Sequence, residues 1–160
     1  MAAIRVRRAR RKDAEAIARL TDVLGRWIMK KETRTTADDI RRFAFGPDRW
    51  CDILVAYDGD AVLGYALYRP FFEGFTGRRR MFLSDLAIAP DRKRSGIGEL
   101  LMRALAREAL KLECDVITWE CSDDNPGALA FYAKHKADRI DAVVTLALER
   151  PYMEALAKSD

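Results

Sequence analysis

The chain has 160 residues, 49% of them hydrophobic and 34% charged, with a net charge of +4. That is one domain, 1–160, with enough apolar material for a core, which excludes a disordered chain; no apolar run approaches the ~20 residues of a bilayer span, which excludes a membrane protein. The charge favours an anionic ligand without implying nucleic acid, and three cysteines with one histidine and no CxxC exclude a disulfide framework or a metal site.

Reduced thiols point to the cytoplasm. The basic start MAAIRVRRARRKD lacks an apolar stretch behind it, so it is not a secretory signal. A transit peptide is disfavoured because strand-like alternation begins at once, with Ile4 and Val6. Arg5, Arg7, Arg8, Arg10, Arg11 and Lys12 have no interleaved aromatics, so they read as a solvated edge rather than a nucleic-acid surface.

In chain order, 4–8 is a strand and 13–29 a helix with Ile17, Leu20, Leu24, Trp27 and Ile28 on one face. No good capping residue opens it; Arg10 stands where Ser or Thr would suit. Thr36-Ala-Asp-Asp39 is a capping box for a short helix to Phe45. Strands at 53–57 and 61–68 flank the tight turn Asp58-Gly59-Asp60. A loop follows at 70–80, then an apolar strand at 81–89 read as central. Helix 96–112, strand 116–121 and helix 125–136 follow, the last opened by Asn125 as cap and Pro126 at the first helical position. A strand at 143–149 and a tail helix at 151–158 complete the chain. The pattern β α α β β β α β α β gives a mixed α/β sheet with helices on both faces.

The informative stretch runs from Ala87 to Leu101, an apolar strand, a basic turn, Gly96-Ile97-Gly98 and an amphipathic helix. The first turn of a helix has four N–H groups without intrahelical partners, and the dipole adds roughly half a positive charge there. Glycines at 96 and 98 remove Cβ atoms that would hold a ligand off, and Lys93 and Arg94 add full charges. Such a cradle suits a diphosphate. Glu99 stands where a nucleotide-hydrolysing loop needs Lys, and Leu101 where a dinucleotide fingerprint needs Gly.

This stretch resembles motif A of the GNAT superfamily of N-acetyltransferases, Gln/Arg-x-x-Gly-x-Gly/Ala, with Lys93 at the Gln/Arg position. Asn125 through Phe131-Tyr132 is similar to a second family element, Asn-x-x-Ala-x-x-Phe-Tyr, here without the usual following Gly. Within the superfamily the chain looks most like the spermidine/spermine (diamine) N-acetyltransferase group, by Leu63–Tyr68, Phe82–Leu86 and Tyr152. It departs where a polycation would be held: Ser84 replaces an acid, and Trp27-Ile28 replaces Tyr-Glu.

The resemblance implies the GNAT fold, a mixed, mostly antiparallel sheet of six to seven strands with helices on both faces. It implies acetyl-CoA as donor, held by Leu86, Ala87, Ile88, Lys93, Arg94, Ser95, Gly96, Ile97, Gly98, Glu99, Asn125, Ala128 and Tyr132. Tyr132 is the implied acid for the leaving thiolate. Proton removal falls to Ser84, relaying through water because alternation turns 84 and 85 to opposite faces, or to Asp85; Glu120 and Glu73 are further candidates. Trp27, Ile28, Phe72 and Glu120 are candidates for the acceptor pocket, with Phe71 and Phe75. Arg78-Arg79-Arg80 can meet a phosphate, an acidic acceptor or solvent. His135 reads as surface.

The expected activity is direct, ternary-complex acetyl transfer to a primary amine of a small molecule, an amino acid or modest apolar amine rather than a polyamine. Cys121 has no readable His-Asp partners for a covalent route. Acetylation of a protein N-terminus or lysine, and acyl-CoA binding without catalysis, stay open. No nucleic-acid, membrane or metal partner is expected; a homodimer is.

Overall fold

The computed structural model describes residues 3–158. The chain divides into two compact units, Met1–Glu120 and Cys121–Asp160.

In the first unit, β1 (Arg5–Arg8) leads through a 3-10 turn at Arg11–Asp13 into α1 (Ala14–Met29). The missing cap is supplied from within: the buried Asp13 carboxylate accepts the Arg10 N–H at 2.6 Å and is gripped by both Arg7 nitrogens at 2.6 and 3.1 Å. α2 (Ala37–Phe45) opens at the expected capping box, Asp39 N–H donating to Thr36 Oγ1 at 3.1 Å and Thr36 N–H to Asp39 Oδ2 at 2.9 Å. Then come β2 (Asp52–Asp58), β3 (Ala61–Glu73), β4 (Arg78–Ile88), α3 (Ile97–Lys111) and β5 (Val116–Thr118).

The sheet order is β1-β2-β3-β4-β5, with β5 alone parallel to its neighbour. Because strand residues alternate between faces, each face builds its own core. Leu54, Ala66, Tyr68, Met81 and Leu83 pack with Ile97, Leu101 and Leu105 of α3. Ile53, Val55, Tyr65 and Ala87 pack with Ile17 and Leu20 of α1 and Ile40 of α2.

Two expectations change here. The loop expected at 70–80 is a two-stranded ribbon, with a turn only at 74–77. β2 ends opposite Tyr68, so β3 has an open edge beyond it, where Pro70 is tolerated. Opposed pairs Glu73↔Arg78 and Phe71↔Arg80 continue the ladder. The strand expected at 116–121 stops at Thr118.

The second unit holds α4 (Pro126–Lys134) and α5 (Arg150–Leu156). Asn125 caps α4, its Oδ1 accepting the Ala128 N–H at 3.1 Å. The strand expected at 143–149 is not formed: the segment has no ladder partner among the described residues, and Val143, Val144, Leu146 and Leu148 are exposed. A strand without a neighbour does not hold its conformation in water. Among the described residues the sheet therefore has five strands, not six or seven.

Candidate active site

β4 carries two irregularities side by side. The first is in register. Leu67 lies opposite Asp85 but Tyr68 opposite Leu83, so Ser84 is an extra, bulged residue. The bulge breaks the alternation of β4 between Leu83 and Asp85. Leu83 enters the α3-side core, while Asp85, two residues on, bonds Tyr65, which packs in the α1-side core; Ser84 is exposed.

The second is in pairing. β5 accompanies β4 only from Arg80 to Phe82, and beyond that no strand lies along this edge among the described residues. Ala89 N–H donates to Leu63 O at 2.8 Å. In an antiparallel ladder alternate residues turn their backbone groups to the same neighbour, so Ala87 also faces β3 and the N–H groups of Leu86 and Ile88 face the open edge. Ala87 itself is buried.

This edge runs into the basic turn. Arg94 (φ 62°) and Gly96 (φ 81°) both adopt the left-handed conformation, and Ser95 Oγ donates to Arg92 O at 2.5 Å. Gly96 has no side chain to cap α3, and a Cβ built on it meets nothing within 4 Å, so no capping side chain stands at position 96 before the first turn of the helix. Ile97 and Gly98 are buried, and Glu99 accepts from Arg103 at 2.5 Å. Lys93 Nζ stands 5.3 Å from the centre of the Trp27 ring, so α1 ends against this turn; Lys30 Nζ lies 5.9 Å from the same ring. Trp27 and Ile28 are exposed.

Asp85 is the titratable group at the bulge. Its Oδ2 lies 3.3 Å from the Tyr65 hydroxyl, which lies 2.8 Å from Thr21 Oγ1, and Thr21 donates to Ile17 O at 2.9 Å. Burial raises the Asp85 carboxyl, and the Tyr65 hydrogen bond only partly opposes it. Burial, then Asp52 and Asp85, push the nearby Cys51 thiol up to about 11. Sequence reading missed Tyr65 and Thr21. The available signal was a phenol on an inward position of an apolar strand, since a buried Tyr hydroxyl needs a partner.

Other candidates lie apart from this group. Phe72 is exposed, eight residues beyond Gly64 along β3, about 26 Å at the rise of a strand. Phe71 and Phe75 sit on the same ribbon. Glu73 is engaged by Thr76 at 2.7 Å and by Arg80, which hold its carboxyl below the ordinary range and make it a weaker base. Arg79 pairs with Glu113 at 2.8 Å and Arg78 with Asp115 at 3.6 Å, so the arginine run is committed to ion pairs. Glu120 is exposed, two residues past β5.

In the second unit, Tyr132 stands edge-on to Phe131 at 5.2 Å, and burial, with Cys121, pushes its phenol up to about 12. Asn125 and Ala128 form the cap of the same helix. Burial and Asp123 raise the Cys121 thiol, which keeps it protonated and a poor nucleophile. His135 is exposed against Phe131. Among the described residues no cluster could hold a metal, and no helix is long and apolar enough to cross a membrane.

The arrangement offers an extended ligand two outward amides, an anion a bare helix start flanked by cations, and a proton a half-buried carboxylate. Known proteins resemble the chain in sequence and in fold. The chain is 28% identical over 141 residues to thialysine N-epsilon-acetyltransferase of Mus musculus, covering 82% of each. It is 30% identical over 95 residues to L-ornithine N5-acetyltransferase NATA1 of Arabidopsis thaliana, which is 59% of this chain but 39% of that protein's length. An integron cassette protein from the mobile metagenome of V. cholerae superposes with a TM-score of 0.82 at 24% identity, over 99% of this chain and 100% of that one. An aminoglycoside acetyltransferase from an uncultured soil metagenomic sample, solved with sisomicin, superposes with 0.75 at 16% identity, over 92% and 96%. These structures show the same fold. The model of the acetyltransferase (GNAT) family matches residues 17–136, and the chain belongs to that family.

Proposed function

We infer that the protein transfers an acetyl group from acetyl-CoA to a primary amine of a small molecule. The observation that carries this is the open edge of β4 running directly into the uncapped start of α3. An amide-bearing arm fits beside β4 as an added strand would, on the N–H groups of Leu86 and Ile88. A diphosphate fits the turn Lys93–Glu99, where the missing Cβ of Gly96 leaves room. Asn125 and Ala128 are assigned to the same arm on the family resemblance. Acetyl-CoA supplies the acetyl group as an activated thioester.

The protein's own residues do the rest. An alkylammonium has a pKa of about 10, so the acceptor must lose a proton before it can react. Asp85 takes that proton, with Ser84 at the exposed bulge able to hold a water between them. On the family resemblance Tyr132 is assigned the proton for the departing sulfur, and its raised phenol pKa keeps it protonated at neutral pH. Trp27 and Ile28, where a polycation site would carry an acid, line the acceptor side with apolar surface. Relatives named for ornithine and thialysine point to an amino acid with a distal amine as acceptor. Three free cysteines suit a reducing cytoplasm, and the apolar side chains exposed between Val143 and Leu148 suit a homodimer.

CoA release measured against amino acids, diamines, polyamines, aminoglycosides and peptides tests this reading. The expected result is turnover with ornithine-like amines, reduced about 100-fold in kcat by Tyr132→Phe. Release with peptides alone would shift the acceptor to proteins. Tight acetyl-CoA binding with no release from any amine would make the chain a binding module.

A further inference from the structure

The hydrogens along Asp85, Tyr65 and Thr21 can be counted. Four oxygens stand in a row: Asp85 Oδ2, Tyr65 OH, Thr21 Oγ1 and Ile17 O, separated by 3.3, 2.8 and 2.9 Å. The last can only accept, and each hydroxyl brings one hydrogen. With Asp85 ionised, two hydrogens serve three contacts: Tyr65 donates to Asp85, and Thr21 donates either to Ile17 O or to Tyr65, so one contact is left without a hydrogen. With a proton on Oδ2, three hydrogens fill three contacts in the opposite sense, Asp85 to Tyr65 to Thr21 to Ile17 O. Thr21 stands as donor to Ile17 O, as the second arrangement requires, and Tyr65 stands as donor to Asp85 Oδ2, as the ionised form requires, so the 2.8 Å contact between Tyr65 and Thr21 is the one whose direction is free to change.

We propose that Tyr65 and Thr21 are positioning residues whose hydroxyls reverse direction to hold Asp85 in both its ionised and its protonated form while it takes the acceptor's proton. This rests on the acetyltransferase reading given above. In the step, the ammonium N–H bond breaks and an O–H bond forms on the Asp85 carboxylate. The new hydrogen settles on Oδ2 toward Tyr65 as Tyr65 turns its own toward Thr21 and Thr21 turns toward Ile17 O. No heavy atom needs to move. The proton later leaves to water, and the chain turns back.

Among the described residues, the titratable groups facing Asp85 are Tyr65 from β3 and Cys51 from the segment before β2, while α1 brings the hydroxyl of Thr21. Burial is the main influence on the carboxyl and no cation offsets it. The hydroxyl chain is thus the device that keeps an ionised Asp85 available in a half-buried place.

Two conservative substitutions move the carboxyl in opposite directions. Tyr65→Phe removes the donor to the ionised form, so Asp85 titrates at higher pH. Thr21→Val leaves the Tyr65 hydrogen no acceptor but Asp85, which favours the ionised form, so Asp85 titrates at lower pH. Each shift is expected to be about half a pH unit or more, and Thr21→Ser restores the parent value. The measurements are a carbon-13 carboxyl NMR titration of Asp85 in the ligand-free protein and the acidic limb of kcat/KM against pH. Opposed shifts in the titration, followed by the limb, support the proposal. Shifts of one sign, no shift from Thr21→Val, or a limb that ignores the titration overturn it. If the parent protein releases no CoA from any amine, the functional reading falls, and the titration still decides the chain by itself.

Discussion

Two aspartates show how one residue type takes opposite roles. Burial pushes the Asp13 carboxyl up, but the Arg7 guanidinium and the Arg10 N–H outweigh it and hold it below the ordinary value. A lowered folded pKa means that the unfolded chain binds more protons between the two values. Its stabilisation is therefore complete above the unfolded value and is lost as pH falls through the folded one. Asp13→Asn is expected to cost about 3 kcal/mol at pH 7, read by urea unfolding, with the difference shrinking in acid. Asp85 has the reverse sign. Its folded pKa is raised, so the native state holds the extra proton, and stability declines as pH rises through the unfolded value toward the folded one. Asp85→Asn should therefore melt higher than the parent at pH 7 while losing turnover, and that thermal gain should vanish in acid. The two aspartates could not be told apart in the sequence. Asp13 was visible only as a poor helix start, and its partner Arg7 looked like one of several solvated arginines.

The site depends on how closely β3, β4 and α3 approach one another. A Cβ at Gly64 would lie 2.8 Å from Ala87 O and 3.1 Å from the Ile97 side chain. Because one obstacle is backbone, Gly64→Ala must shift β4 or the start of α3. It should cost about 2 kcal/mol in urea unfolding and weaken CoA binding in calorimetry. Gly59→Ala is the contrast: its φ of +56° strains an alanine by about 1 kcal/mol, but nothing lies within 4 Å, so CoA binding should be unchanged. Helices with a periodic face or a capping box were legible to within a residue or two. The ribbon at 70–80 was not, because Pro70, two glycines and three arginines carry loop composition. Only the open edge of β3 and the Glu73 pairing make that composition a ladder. The bulge at Ser84 was equally invisible, since an inserted residue leaves no mark in a single apolar strand.

At the scale of the molecule, the family was legible because it rests on short local patterns, Gly96-Ile97-Gly98 and Asn125 to Tyr132. What depends on distant parts meeting was not. The segment 143–149 alternates as a strand should, yet alternation cannot supply a neighbour, and its apolar side chains stay exposed. Trp27 was read as acceptor lining, and no local pattern shows that it lies against Lys93. That contact has an optical consequence. Trp27, one of three tryptophans, has the ammonium groups of Lys93 and Lys30 over its ring. A diphosphate drawing Lys93 away would change the indole's surroundings, so emission excited at the indole band should report donor occupancy in the unlabelled protein, and Trp27→Phe should silence that signal while leaving the turn's amides in place.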